Sequence, residues 1–406
     1  MKLPELLIPA GNLEKLHTAL LYGADAVYVG VEGLSLRGGQ AEMNPGQLSA
    51  GVKAAHQKGV KVYAALNVFA RNHDLELAEK AIPQLREMEI DALILSDPGF
   101  LALVKRIAPE MNIHLSTQAN VTNIAAARFW LKQGVRRINL ARELNLAEIR
   151  AITAAVPEME FEIFIHGAMC MAYSGRCFLS ALRTGRSSNH GECTHPCRWE
   201  YQFHESTRPG QPFILEEDGR YSYLLSSKDL CLIEHLPEIL NAGVAGLKVE
   251  GRMKSAYYVA VVTRTYRAAL EAFRKDPAGY QCAPEWLEEL KKISNRGYTT
   301  GFYLSDLEKI GEMNPEVKYL QTHDLAGIVM DAGPSREKIL VGVRNQVTGE
   351  DYLELLLPNR MSNVILDPAR MTDEHGLPVN KAHNGYQVYF PVNQEVPVGA
   401  VIRRRL

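Results

Sequence analysis

Leu6-Leu7-Ile8-Pro9-Ala10-Gly11-Asn12-Leu13-Glu14-Lys15-Leu16-His17-Thr18-Ala19-Leu20-Leu21-Tyr22-Gly23-Ala24-Asp25-Ala26-Val27-Tyr28-Val29-Gly30 holds one full unit of the fold. The apolar run Leu6–Ala10 reads as a buried strand. Asn12 is placed to cap a helix that carries Leu13, Leu16 and Leu20 on one face and ends at Gly23. Ala26–Gly30 reads as the next strand. The unit recurs to about residue 252, with strands expected at Lys61–Leu66, Ala92–Asp97, Ile113–Gln118, Arg137–Ala141, Phe161–His166 and Gly246–Glu250.

Start signals separate the strands. Asn44 with Pro45 opens the second helix, Asp74 precedes the third, Thr122 the fifth and Asn145 the sixth. Strands alternating with helices argue for a parallel sheet, and eight units over about 250 residues suit a closed barrel. A doubly wound sheet is the alternative. It calls for a glycine-rich phosphate turn after the first strand, and Pro9-Ala10-Gly11-Asn12-Leu13 lacks G-x-G-x-x-G.

The expected fold class is therefore α/β, a (β/α)8 TIM-type barrel over 1–320. It is interrupted at about 168–242, where roughly 80 residues separate strands seven and eight. Helices are expected at about Lys254–Lys275 and Pro284–Ser294. From Leu325 the texture changes to short β-type runs: Leu325–Met330, Lys338–Arg344, Tyr352–Leu357, Gln387–Pro391 and Ala400–Arg404. Residues 321–406 read as a small all-β barrel domain.

The 406 residues carry a formal net charge of −2, so no whole-chain electrostatic argument for nucleic acid follows. No signal-peptide core and no stretch of about 20 apolar residues is visible, so a cytoplasmic protein without membrane contact is expected. Thiols stay reduced there, and the six cysteines read as ligands or core residues.

Four of them are concentrated in the insertion. Cys170, Cys177, Cys193 and Cys197 follow the spacing C-x6-C-x15-C-x3-C. Structural zinc favours C-x2-C knuckles, which are absent. An iron–sulfur cluster needs four thiolates and tolerates looser spacing. The cluster, preferably 4Fe–4S, is the leading reading; zinc and a set of buried cysteines remain alternatives. Cys231 reads as a core residue or a substitute ligand, and Cys282 as incidental.

The motif Glu162-Ile163-Phe164-Ile165-His166-Gly167-Ala168-Met169-Cys170, continued by Gly175-Arg176-Cys177-Phe178-Leu179-Ser180, resembles the collagenase-like peptidase family U thirty-two. The likeness extends through Ser116-Thr117-Gln118-Ala119-Asn120, Lys248-Val249-Glu250-Gly251-Arg252 and Asn295-Arg296-Gly297-Tyr298. Within that family it runs most strongly to the prephenate-dependent tRNA uridine hydroxylases. The resemblance implies a cluster on the matching cysteines, prephenate as co-substrate, a tRNA anticodon loop as partner and C5 hydroxylation of the wobble uridine, position 34. An electron-donor protein is a further expected partner. Peptidase activity is the alternative suggested by the family name, and a non-catalytic iron–sulfur RNA-binding module is another. No H-E-x-x-H and no G-x-S-x-G supports proteolysis.

Polar residues at the expected strand ends should converge on one pocket. His166, Lys248, Glu250 and Arg252 are the candidate catalytic groups. Asn12, Gln118, Asn120 and Arg142 are the candidate substrate-binding groups. Arg142 and Arg252 suit a dicarboxylate, and an internal salt-bridge ring is the competing reading. From His166 to Arg208 there are five arginines and no lysine, interleaved with Tyr173, Trp199 and Tyr201. That mixture suits splayed single-stranded bases, or equally a solvated insert whose aromatics cover the cluster. Arg403-Arg404-Arg405 is a weaker candidate phosphate contact.

Overall fold

The computed structural model describes residues 3–36, 41–170, 172–199, 227–304, 319–332, 337–358 and 360–406. The barrel strands are β1 (Glu5–Pro9), β2 (Ala26–Gly30), β3 (Lys61–Leu66), β4 (Ala92–Leu95), β5 (Ile113–Leu115), β6 (Arg137–Asn139) and β7 (Glu160–Ala168). Then come β8 (Asp229–Cys231) and β9 (Gly246–Val249). β1 to β7 pair in chain order, β7 pairs with β9, and β9 returns to β1, all in parallel. The barrel is closed, with the eight strands read from the sequence.

Six helices sit between successive strands: α1 (Leu13–Tyr22), α2 (Pro45–Gln57), α3 (Asn72–Glu87), α4 (Pro98–Ile107), α5 (Ile124–Lys132) and α6 (Leu146–Ala155). Asn12 accepts from the Lys15 N–H, and Asn44 and Asn145 each form a reciprocal capping box. Two starts differ from expectation. Asn123, not Thr122, caps α5. α3 begins two residues before Asp74, whose carboxylate reaches back to the Arg71 N–H at 2.7 Å. A short acidic chain satisfies that orphan donor from inside the first turn as well as from the cap.

β8 has no counterpart in the sequence reading. It runs antiparallel to the end of β7, pairing His166 with Cys231 and Ala168 with Asp229. β10 (Tyr298–Thr299) then pairs with β8. Between β7 and β9 lie α7 (Leu179–Thr184) and α8 (Leu236–Leu240); beyond β9 come α9 (Ala256–Lys275) and α10 (Pro284–Lys291).

The all-β domain is a six-stranded antiparallel sheet, in the order 364–366, 353–356, 401–405, 323–331, 338–343, 387–391, with a separate two-stranded ribbon. Its core includes Val341, Leu355, Phe390 and Ile402. It is fixed to the barrel helices by buried charge. Arg403 donates to Glu289 at 2.6 and 3.1 Å and to Glu354 at 2.7 Å, and Arg264 also pairs with Glu289. Tyr22 of α1 donates its hydroxyl to the Leu356 carbonyl. Arg403 is therefore committed to this junction, and Arg404 to Asp324 at 2.6 Å. Two of the three C-terminal arginines offered above as a weaker phosphate contact are thus held by carboxylates of the protein itself.

Candidate active site

The barrel interior is layered. Leu7, Ala26, Tyr28, Tyr63, Ala65, Ala92 and Ile94 form an inner apolar group. At the N-terminal end of the strands Arg137 pairs with Glu5 at 2.7 Å, and Glu5 accepts from the Tyr63 hydroxyl at 2.7 Å. Burial alone would push the Glu5 carboxyl up, but Arg137 beside it holds it below its ordinary value. One step up, Glu162 accepts from Lys248 Nζ at 2.9 Å and Asn139 Nδ2 at 3.1 Å. This buried ladder fixes the side chains on which the mouth rests.

Above it a cavity of about 140 Å3 opens at the C-terminal strand ends. Its floor combines cations with aromatic faces. The Arg142 guanidinium stacks 3.8 Å from the Phe164 ring centre, and Lys248 Nζ lies 4.7 Å from that of Tyr28. Arg142 also donates to the Ala168 carbonyl at 3.1 Å and meets Glu250 at 3.4 Å. Gln118 is locked by Asn67 at 2.9 Å and Ser116 at 3.0 Å.

The cysteine segment forms the roof. Cys170, Cys177, Cys193 and Cys197 all line the same cavity. The segment is tied to the barrel by short polar contacts. Glu143 accepts from both the N–H and the hydroxyl of Ser174 at 2.6 Å, and Arg176 Nε donates to the Gln118 carbonyl at 2.8 Å. His190 Nε2 lies 2.8 Å from the Phe69 carbonyl oxygen. Ser174 holds a φ of 44°, and Gly167 a φ of 106° with no room for a side chain against the Glu250 carbonyl. Burial pushes the Cys197 thiol up; Arg198 opposes this, and Cys170, Cys193 and Cys177 reinforce it. The four sulfurs are thus electrostatic neighbours. Among the described residues no three His, Cys, Asp or Glu side chains converge tightly enough to hold a single metal ion. A donor set of four thiols spread around one cavity fits a multi-iron cluster, in which each iron takes one protein sulfur.

The structure therefore brings together the four cysteines, Gln118, Arg142, Lys248, Glu250 and Arg252. It does not bring Asn12, Asn120 or His166 there. Asn12 is spent on its helix cap. Asn120 ends a short 3-10 turn with a φ of 54°. His166 points the other way, among Tyr258, Tyr266 and Tyr298 with ring centres 5.4–5.9 Å away. Burial, and secondarily Lys254, pushes its imidazole down to about 3. The cause is a register shift against β9: Phe164 pairs with Lys248, but His166 pairs with Val249. The extra residue reverses the alternation and turns His166 outward. Tyr28 and Phe164 were not singled out from the sequence; their inward positions two residues before a strand end were the available signal. Tyr201 and Arg208 lie outside the described residues.

Residues 11–313 match the model of peptidase family U32, and 321–403 that of the peptidase family U32 C-terminal domain. The chain belongs to this family. It is 36% identical over 405 residues to tRNA hydroxylation protein P1 of Bacillus subtilis (strain 168), spanning 99% of this chain and 95% of that one. It is 37% identical over 443 residues to tRNA hydroxylation protein P of Escherichia coli (strain K12), spanning 99% and 96%. A third relative, a collagenase of Porphyromonas gingivalis (strain ATCC BAA-308 / W83), is 31% identical over 417 residues, spanning 97% and 95%. Among the described residues no helix is long and apolar enough to cross a membrane.

Proposed function

We propose that this protein hydroxylates C5 of the wobble uridine, position 34, of tRNA in the cytoplasm. Prephenate is the co-substrate, and a 4Fe–4S cluster is held by Cys170, Cys177, Cys193 and Cys197. The observation that carries the reading is the shared cavity. Four thiols and the strand-end groups Arg142, Lys248, Glu250 and Arg252 face one space. The names of the two tRNA hydroxylation relatives, matched over 99% of this chain, support tRNA as the substrate class and hydroxylation as the reaction type.

The residues divide the work as follows. Arg142, Lys248 and Arg252 give the cavity a positive wall for a dicarboxylate such as prephenate. Glu162 holds Lys248 from below at 2.9 Å, so its Nζ is fixed in a buried place. Tyr28 and Phe164 offer flat apolar faces beside these cations. Gln118, whose amide is held by Ser116 and by both the side chain and the carbonyl of Asn67, gives the cavity a fixed polar wall. The cluster, when bound, supplies one-electron chemistry at the roof of the cavity, and an electron-donor protein serves it.

The test is nucleoside mass spectrometry on unmodified tRNA incubated with anaerobically purified protein, with and without prephenate. The expected result is 5-hydroxyuridine at position 34 that depends on prephenate. Unchanged tRNA with an intact cluster contradicts the reading. The collagenase relative favours a second reading as a peptidase; gelatin or collagen cleavage by the same preparation, with tRNA untouched, would install it instead.

A further inference from the structure

We infer that the cysteine segment is also the RNA-gripping surface: its outer face docks a single-stranded loop while the target base enters the cavity beneath. This rests on the RNA substrate proposed above and names where that RNA is held.

The segment exposes large apolar and aromatic side chains where a solvated loop would carry polar ones. Phe178 is 73% exposed and Leu182 70%, while Tyr173 and Trp199 are 52% and 41% exposed. The Leu182 N–H donates to the Phe178 carbonyl, so the two side chains lie one turn apart on one helical face. Exposed groups of large apolar residues at a pocket rim mark a binding surface.

Charge selects the partner. Between residues 168 and 199 there are four arginines, no lysine and a single acid, Glu192. Arg176, Arg183 and Arg186 are exposed. This stands against a near-neutral chain, so the positive field is local to the cavity roof. Arginine with flat aromatic faces matches a polyanion whose bases are free to stack, which is a single-stranded loop rather than a duplex. Rigidity completes the case. Glu143, Gln118 and Phe69, from three different strand-end loops, hold the segment through Ser174, Arg176 and His190. The face is thus fixed with respect to the cavity, as an enzyme that takes one base out of a stack requires.

The experiment uses the full chain with its cluster. Binding of an anticodon stem-loop and of a plain RNA duplex is measured by fluorescence anisotropy for the Phe178→Ala/Leu182→Ala and Arg183→Ala/Arg186→Ala variants. The apolar pair should weaken stem-loop binding about tenfold and leave duplex binding unchanged. The arginine pair should reduce the slope of log affinity against log salt by about 1.4. Iron content reports whether the segment is intact; if Phe178→Ala sheds iron, the arginine pair decides alone. Unchanged stem-loop affinity and salt slope overturn the inference, and with hydroxylation intact they leave the proposed function standing. Conversely, a wild-type protein that fails to hydroxylate while the variants lose stem-loop affinity removes the proposed function and keeps this surface. Variants that lose binding to an acidic electron-carrier protein, with RNA affinity untouched, assign the face to protein and overturn the inference.

Discussion

Two clusters of buried charge in this molecule use the same residue types to different ends. At the junction between barrel and β-domain, Arg264, Arg403 and Lys292 meet Glu289 and Glu354, so each charge has a partner of opposite sign within the protein. Asn363 adds neutral hydrogen bonds to Arg264 and Glu354. At the barrel mouth Arg142, Arg198, Lys248 and Arg252 line the cavity with the carboxylate Glu250, and Glu162 holds Lys248 from below. There the cations lean on Tyr28 and Phe164 instead. A cluster whose charges are paired with one another holds two parts together. A cluster that lines a cavity and leans on aromatic faces sets its cations where an anionic ligand would enter.

That contrast can be broken first at the junction. Glu289→Ala leaves Arg264 and Arg403 buried without their shared partner. Stability in denaturant unfolding should fall by about 3–5 kcal/mol, with the cavity unaltered. The pH dependence follows from the same group. Burial alone would raise the Glu289 carboxyl, but Arg403 holds it below its ordinary 4.5. Its contribution is present above that value and lost as pH falls through the depressed one. Wild-type stability should therefore drop below about pH 4.5 more steeply than that of Glu289→Gln.

At the mouth the expected effect is on activity. Lys248→Met leaves Glu162 with Asn139 at 3.1 Å and Arg137 at 3.6 Å, so unfolding should change by less than in Glu289→Ala, about 2 kcal/mol. Steady-state hydroxylation should lose about a hundredfold in kcat/KM. Equal losses of stability in the two variants would erase the distinction between the clusters.

The smallest effect is expected at His166. His166→Phe should retain hydroxylation, because the imidazole faces the tyrosines of the outer layer rather than the cavity. A buried neutral histidine costs stability once the unfolded chain can protonate. Its folded value near 3 against an ordinary 6.5 places that loss between those two pH values. The variant should lack this part of the pH dependence in thermal unfolding. A hydroxylation defect as large as that of Lys248→Met would return His166 to the reaction.

The barrel was legible because its signals are local. Apolar runs recur in every unit and asparagine caps or closing glycines in several, and all eight barrel strands could be placed from them. β8 was not, because Asp229-Leu230-Cys231 is three residues long and carries no alternation. Its pairing with the end of β7 is set by tertiary contact. The cysteines were legible as a group through composition and spacing, whereas their shared cavity with the strand ends depends on contacts such as Glu143 with Ser174. Placing side chains by counting along a strand worked for Lys248, Glu250 and Arg252. It failed for His166, where one extra residue in β7 reverses the faces. Asn12 and Asn120 share that lesson: a polar residue just past a strand also serves local backbone, one as a helix cap and the other in a left-handed turn.

The most direct test of the account is iron and acid-labile sulfide content, with an absorption spectrum, on protein purified without oxygen. About four irons and four sulfides per chain, lost together in Cys170→Ala, is the expected result. Stoichiometric zinc, or no metal after anaerobic reconstitution with iron and sulfide, would contradict the claim that these four cysteines hold a cluster against the barrel mouth.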